Sequence, residues 1–123
     1  TDKWSVDLVW EQKAQAYMSS PVLFDGDIYL HLKNERFTNI NSADGNTNWT
    51  SSPMGKYWSM VSNGKNSLSL DHRGNLRLIN PSSSDLEVID EVKVGDDTWA
   101  HIGINDDMVL VRDLNALKVF RWK

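Results

Sequence analysis

The chain lacks three things that would each have pointed to a class of protein. None of its 123 residues is a cysteine, which excludes a disulfide framework, a thiolate nucleophile and a cysteine-type zinc site. No apolar run approaches the roughly 18 residues that a membrane-spanning helix requires, so we expect no membrane insertion. Basic residues form no block: 13 Lys and Arg are interspersed with 17 Asp and Glu, for a net charge of -4. This balance argues against a nucleic-acid partner.

Recognisable catalytic and metal-binding motifs are also missing from the sequence. There is no G-x-S-x-G nucleophile motif and no D-x-D-x-D-G calcium loop. His31 lies beside Tyr29 on an alternating strand and is expected to be an ordinary strand residue, and His72 and His101 have no carboxylate at ligand spacing. We therefore expect a non-enzymatic protein with no catalytic residue, no metal ligand and no bound cofactor.

What the chain has instead is period-two alternation of apolar and polar residues over most of its length. Examples are Trp4–Trp10, "DIYLHL" (27–32), "NLRLI" (75–79) and "LKVFRW" (117–122). Alternation with period two indicates half-buried β-strands. Pairs such as Asp25-Gly26 and Asn63-Gly64 separate the runs and tolerate the positive φ of tight hairpins. The pattern predicts an all-β meander, in which residues 11–18, the one helix candidate, form a connection between strands.

The strands recur at a long period. Trp49 follows Gly45 by four residues; Val88 follows Ser84 at the same offset, and Trp4 occupies the matching phase near the start. The resulting spacings of 45 and 39 residues are close to the roughly 40–45 residues of a four-stranded propeller blade. We predict a single partial β-propeller domain over 1–123, with antiparallel blades at 15–54, 55–96 and 97–123, the last completed by strand 1–11. A solitary hairpin with a cross-strand tryptophan remains the alternative.

The stretch "NINSADGNTNW" (39–49) resembles the AxDxxTGxxxW docking motif of PQQ-like, or quinoprotein-type, β-propeller repeat proteins. Gly45 and Trp49 match, whereas Asn39, Asn41 and Asp44 depart from the Ala, Asp and Thr of the motif, and 78–88 keeps neither Gly nor Trp. "SSPVLFDGDIYL" (19–30) is similar to the first two strands of that family.

The resemblance is strongest to the non-enzymatic, BamB-like propellers. It implies a binding or scaffolding module of a bacterial envelope, periplasmic or secreted. The alternative is a fragment or relative of a quinoprotein dehydrogenase, which would require pyrroloquinoline quinone and calcium, with Trp58 or Trp99 as an aromatic floor. The sequence has neither an adjacent-cysteine pair nor a convincing Asp and Asn ligand set for that chemistry.

Three blades are fewer than the four to eight that close a propeller. The chain is then a piece of a longer propeller, a subunit of a head-to-tail homodimer with a six-bladed ring, or a barrel-like sandwich of its own. The matching phase of the two ends favours the homodimer. In it, Trp4–Trp10 of one copy would complete the sheet that carries Met108–Val111 and Leu117–Trp122 of the other.

A candidate binding face follows from the propeller reading, because the loops on one face converge near the axis. Blade after blade supplies an aromatic residue close to a basic or amide residue, which suits a protein, a peptide or a small polar ligand. Packing between blades remains the alternative role for Trp58 and Trp99, which begin innermost strands. The candidate residues are Tyr17, Arg36, Lys56, Tyr57, Trp58, Arg73, Trp99, His101 and Arg112.

Overall fold

The computed structural model describes residues 2–80, 82 and 84–123, which form eleven β-strands in three antiparallel sheets. The first sheet contains β1 (Val22–Phe24), β2 (Asp27–His31), β3 (Arg36–Asn41) and β4 (Thr47–Pro53). The second contains β5 (Ser59–Ser62), β6 (Ser67–Leu70), β7 (Asn75–Asn80) and β8 (Glu87–Lys93). The third contains β9 (Gly103–Asn105), β10 (Met108–Arg112) and β11 (Leu117–Arg121).

Each sheet is a meander in which consecutive strands are neighbours. The hairpins turn at residues that accept positive φ, such as Asp25 (φ 53°) with Gly26 (φ 79°) and Gly64 (φ 91°). At Gly74 (φ 83°) a side chain is also excluded by space, because an added Cβ would lie 1.8 Å from the carbonyl oxygen of Gly95. That contact brings the β6–β7 turn against the segment that leads into the third sheet.

Two apolar clusters hold the sheets together, and they place the second sheet between the other two. The cluster between the first and second sheets contains Phe24, Tyr29, Phe37, Trp49, Trp58, Met60 and Ile79. The cluster between the second and third sheets contains Leu68, Leu70, Leu76, Val94, Ile102, Val109 and Val111. The prediction of an all-β partial propeller is confirmed, and the ring of sheets is not closed.

The segment predicted as a connection, 11–18, is indeed not helical. The described residues contain no helix that is long and apolar enough to cross a membrane. The three sheets lie inside the predicted blade ranges 15–54, 55–96 and 97–123, while the boundaries between those ranges stay predictions.

Residues 2–11, predicted as a strand that completes the third blade, pair with no strand of their own chain; Thr1 lies outside the described residues, and the completion of that blade stays a prediction. Instead, Trp10 and Gln12 anchor this segment to the turn between β3 and β4. The indole N–H of Trp10 donates to the Ser42 carbonyl at 2.9 Å, and the Gln12 amide donates to the Gly45 carbonyl at 2.6 Å. These contacts hold the segment at the first sheet, away from the free edge of β11 in the third sheet.

The tryptophan phase read from the sequence also needs correction. Trp49 faces Asn39 in the ladder of β3 and β4, and at the same place in the second sheet Asp90 faces Leu78. Val88, predicted to occupy that place, lies two residues earlier, because the chain between the paired residues Ile79 and Val88 is two residues longer than that between Ile40 and Thr47. In both ladders a register shift directly precedes this pair, between Asn39 and Ile40 and between Leu78 and Ile79.

Candidate functional site

The segments that lead into the three sheets share an unusual backbone conformation. Met18, Tyr57 and Asp97 all have left-handed φ values, of 53°, 55° and 48°, and they follow one another at 39 and 40 residues. This conformation costs a residue other than glycine about 1–2 kcal/mol, so it persists where the surroundings hold it. Backbone bonds fix the chain close to two of these residues: the Lys33 N–H donates to the Gln15 carbonyl, and the Thr98 N–H donates to the His72 carbonyl.

Next to these left-handed residues, three aromatic rings form one surface. The Tyr17 and Tyr57 ring centroids are 6.0 Å apart, and those of Tyr57 and Trp99 are 4.2 Å apart. Tyr17 is 55% exposed and Trp99 45% exposed, with Tyr57 half-buried between them. We call Tyr17, Tyr57 and Trp99 the aromatic face. Because one ring comes from the segment ahead of each sheet, the face exists only when all three sheets are assembled.

A cavity of about 290 Å³ opens beside Tyr17 and Tyr57. Lys56 and Glu35 lie at its wall as an ion pair, with 3.6 Å between Nζ and Oε1. Both side chains are well exposed, so water screens the pair and it stabilises the fold little. The Lys56 ammonium group therefore remains available to a ligand. The cavity is lined by Tyr17, His31, Leu32, Lys33, Glu35, Lys56 and Tyr57.

His31 lines this cavity and packs against Trp58 in the core behind it. The His31 Nε2–H donates to the Gly55 carbonyl at 2.8 Å, and the His31 ring stacks on Trp58 with centroids 6.0 Å apart. Burial lowers the pKa of His31 below its ordinary value of 6.5, although the Gly55 and Glu35 carbonyls and the Glu35 carboxylate act in the opposite direction. Neutral His31 is therefore part of the core, as expected of an ordinary strand residue.

Trp58 was a candidate for the binding face, and the structure places it in the core instead. It is 1% exposed, and the Arg77 guanidinium lies 4.5 Å above its ring. The reason is its position directly before β5, where the ring enters the space between the first two sheets. The residue in the same place before β9 is Ile102, which is also buried. Trp99 lies three residues further upstream, and this offset leaves it at the surface.

Two buried carboxylates, Asp71 and Asp113, organise the turns after β6 and β10. Burial acts to raise the pKa of Asp71, but hydrogen bonds from Arg77 and Asn75 outweigh it and the pKa is lowered. The pKa of Asp113 is also lowered, chiefly by the hydrogen bond from Lys118 Nζ at 2.7 Å. Both groups stay ionised and accept backbone N–H bonds within their turns, which makes them turn-forming residues rather than proton carriers.

The other predicted face residues divide by their surroundings. Lys56 lines the cavity, whereas the Arg36 guanidinium donates to the Ser51 carbonyl at 2.7 Å and is held against β4. Arg73, His101 and Arg112 are exposed; nothing brings them into the cavity wall. Sequence reasoning did not foresee that His31 and Leu32 line the cavity. The alternation in β2 marked them only as strand residues.

Two larger grooves, of about 500 and 460 Å³, lie between the second and third sheets. Leu68, Val109 and Trp122 line both grooves, and Asp90 lines the second. Trp49 fills the corresponding place between the first and second sheets, where its indole N–H donates to the Ser82 carbonyl at 3.0 Å. The grooves thus mark a gap in blade packing, left because an aspartate stands where a large ring would fit.

The arrangement does not suit the quinone and calcium of the alternative reading. Calcium needs several oxygen ligands, and within residues 2–80, 82 and 84–123 no three His, Asp or Glu side chains converge as a metal site would require. Trp58 cannot act as a cofactor floor, because it is enclosed by the core. Rings and cations on an open surface can bind a ligand by stacking and by charge.

Comparison with known proteins supports the fold and leaves the family open. No protein-family model and no curated protein matches the sequence. Among solved structures, BamB from Moraxella catarrhalis superimposes with a TM-score of 0.68 at 10% identity, over 83% of this chain and 30% of that one. The computationally designed Ika4 protein superimposes with a TM-score of 0.57 at 8% identity, over 98% of this chain and 100% of that one. The chain thus spans about a third of the length of the BamB structure, and the likeness is to a β-propeller fold rather than to PQQ-like repeats in particular.

Proposed function

We propose that the chain is a non-enzymatic binding module that holds a peptide segment of a partner protein across the aromatic face. The observation that carries this proposal is the contact of Tyr17, Tyr57 and Trp99, which brings rings from the segments ahead of three sheets onto one surface, with Tyr17 and Trp99 exposed. Exposed aromatic residues contribute disproportionately to binding free energy. The BamB-like resemblance seen in the sequence supports the scaffolding role and a periplasmic or secreted location.

The charges around the aromatic face favour one kind of peptide. Lys33 and Lys56 lie at the cavity wall, while Glu35 is the one acidic residue lining that cavity. Arg73 is exposed on the β6–β7 turn, next to His72, whose ring lies 6.0 Å from that of Tyr57. A peptide with an apolar or aromatic side chain flanked by carboxylates would stack on the rings and meet these cations. The cavity, at about 290 Å³, is at the small end of ligand pockets and suits a single side chain better than a whole small molecule.

The proposal is tested by selecting peptides from a phage-displayed random library on the immobilised wild-type chain. We expect enriched peptides to bind Trp99→Ala at least about 10-fold more weakly, because a hot-spot aromatic contributes about 2 kcal/mol. Lys56→Ala should weaken the peptides that carry carboxylates. The matched control is Ile89→Ala, because Ile89 is similarly exposed but lies on β8, the outer strand of the second sheet.

Thermal unfolding of each variant separates a binding defect from a folding defect. Trp99→Ala should leave the transition nearly unchanged, since the ring is half in water already. Peptides that bind wild type, Trp99→Ala and Lys56→Ala equally well would show that the aromatic face is not the binding surface. Trp58→Ala is unsuitable for this test, because it empties the core between the first two sheets.

A further inference from the structure

Two tryptophans make the same contact on successive sheets. Trp49, on the outer strand of the first sheet, donates its indole N–H to Ser82 at the β7–β8 connection of the second. Trp10 donates in the same way to Ser42 at the β3–β4 connection of the first sheet, with its ring against Gly45. The two rings are 39 residues apart and the two acceptors 40. Trp10, rather than the Trp4 of the sequence reading, therefore stands in the repeat position of Trp49.

This equivalence indicates what the residues around Trp10 are. Trp49 lies on a fourth strand, so Trp10 lies on a segment built as a fourth strand, yet residues 2–15 pair with nothing as a strand. Trp4, Val6 and Leu8 alternate with polar residues and are 90%, 73% and 78% exposed. A strand with an apolar stripe and free backbone groups is a ready partner for a sheet edge.

The complementary edge is the outer strand of the third sheet. In the first two sheets the third strand is covered by β4 or β8, whereas β11 borders only β10 among the described strands. Val119 on β11 is 57% exposed, and Leu117 and Trp122 are exposed as well. Among the described residues, therefore, one segment built as a fourth strand lies in no sheet, and the third sheet shows no fourth strand.

We propose that residues 4–11 of one copy pair antiparallel with β11 of a second copy and complete its third sheet. The ladder of β3 and β4 sets the register: Asn39 faces Trp49 and Ile40 faces Thr47. Because Val119 and Phe120 stand in β11 where Asn39 and Ile40 stand in β3, Trp10 would face Val119 and Leu8 would face Phe120. Val9 then takes the bulge position that Asn48 has in β4.

The same register brings opposite charges together. Asp7 would face Arg121, since the equivalent residues Asn46 and Asn41 are hydrogen-bonded to each other. Glu11 would face Lys118 by the pairing of Thr50 with Thr38. Opposite charges directly across an antiparallel pair are favourable, whereas a shift of one residue would separate them and turn the apolar stripe to the wrong side.

We assign the pairing to a second copy because the segment cannot reach the third sheet of its own copy. Trp10 is fixed to the first sheet, and the second sheet lies between. Packed sheets lie about 10 Å apart, so the third sheet lies about 20 Å from the first, and Trp10 cannot face Val119 of its own copy. If each of two copies donates residues 4–11 to the third sheet of the other, six sheets are joined, which is a number that closes propellers. The contact is heterologous, because the donated segment and the accepting edge of β11 are different surfaces of the chain.

The experiment is light scattering coupled to gel filtration on the full 123-residue chain over a range of concentrations. We expect wild type to reach at least twice the mass of one chain, and Leu8→Lys to remain at the mass of one chain. Leu114→Lys is the matched control: Leu114 is similarly exposed, at 68% against 78% for Leu8, but lies in the β10–β11 turn, so this variant should associate like wild type. Circular dichroism of each variant confirms that it is folded.

A charge exchange tests the register itself. Asp7→Arg should weaken association at least several-fold, and adding Arg121→Asp should restore it, because the pair is rebuilt with reversed polarity. A wild-type chain with the mass of one copy at every concentration would overturn the proposal. So would association that Leu8→Lys leaves intact, which would place the contact on another surface. Neither result bears on peptide binding by the aromatic face, which involves other residues.

Discussion

Replacing Gly45 by alanine tests the contact between Trp10 and the first sheet. Gly45 has φ 76°, and an added Cβ would lie 2.7 Å from Cε3 and 2.8 Å from Cδ2 of Trp10. Gly45→Ala therefore combines backbone strain with expulsion of the ring. Gly26→Ala is the matched control, because Gly26 has φ 79° and nothing within 4 Å of its added Cβ.

The difference between the two variants can be estimated from the contact. Left-handed alanine costs about 1–2 kcal/mol in both. Displacing Trp10 also removes an indole hydrogen bond, about 1 kcal/mol, and the burial of roughly half an aromatic side chain, about 2 kcal/mol at 25 cal/mol per Å². The segment ahead of Trp10 is exposed and adjusts easily, so we expect Gly45→Ala to destabilise the chain about 2 kcal/mol more than Gly26→Ala.

Urea unfolding followed by far-ultraviolet circular dichroism measures both free energies without interference from the six tryptophans. Repeating both substitutions in a Trp10→Ala chain completes the double-mutant cycle. In that chain Gly45→Ala should lower the free energy of unfolding no more than Gly26→Ala does, because the ring that it displaces is already absent. Equal destabilisation by the two glycine variants in the wild-type background would refute the contact. An unchanged penalty after removal of Trp10 would refute it as well.

Three further expectations concern other parts of the fold. Burial holds the pKa of His31 below 6.5, so the stabilisation from its neutral imidazole is present above that pH and is lost as the pH falls below it. The urea midpoints of unfolding at about pH 7.5 and 5.5 should therefore differ less in His31→Gln than in wild type. An equal difference in the two proteins would contradict a buried neutral imidazole. Met18→Gly should be about 1 kcal/mol more stable than Met18→Ala, because glycine accepts the left-handed φ of 53°; the reverse order in thermal unfolding would exclude that conformation. Asp90→Trp should fill the groove between the second and third sheets and raise the unfolding free energy by about 1–2 kcal/mol, and a lowered urea midpoint would show that the groove cannot accept a ring.

The strands could be read from the sequence because their signals are local. "NLRLI" alternates between two good turn signals, and the structure extends it by one residue as β7, Asn75–Asn80. The segment from Trp4 to Trp10 alternates equally well and is no strand, since pairing requires a neighbour that alternation does not reveal. The same limit explains why the position equivalent to Trp49 was predicted wrongly in the second sheet. The longer connection before β8 brings Asp90, and not Val88, opposite Leu78.

The candidate site was predictable in part. Tyr17, Lys56 and Tyr57 line the cavity, and Trp99 contacts Tyr57 beside it, because turns and connecting segments of a meander collect at the ends of its strands. Trp58 and Trp99 could not be told apart, since the distance from each tryptophan to the next strand decides whether the ring is buried. That distance depends on where β5 and β9 begin, and element boundaries are the weakest feature of a sequence pattern.

The indole N–H signals of the six tryptophans provide the most direct test of the aromatic face as the binding surface. A two-dimensional ¹⁵N–¹H spectrum is recorded while a library-selected peptide is titrated into the labelled chain. We expect the Trp99 signal to shift with the peptide concentration, while the signals of the enclosed Trp49 and Trp58 stay in place. A stationary Trp99 signal, with shifts at Trp4 or Trp122 instead, would contradict this expectation.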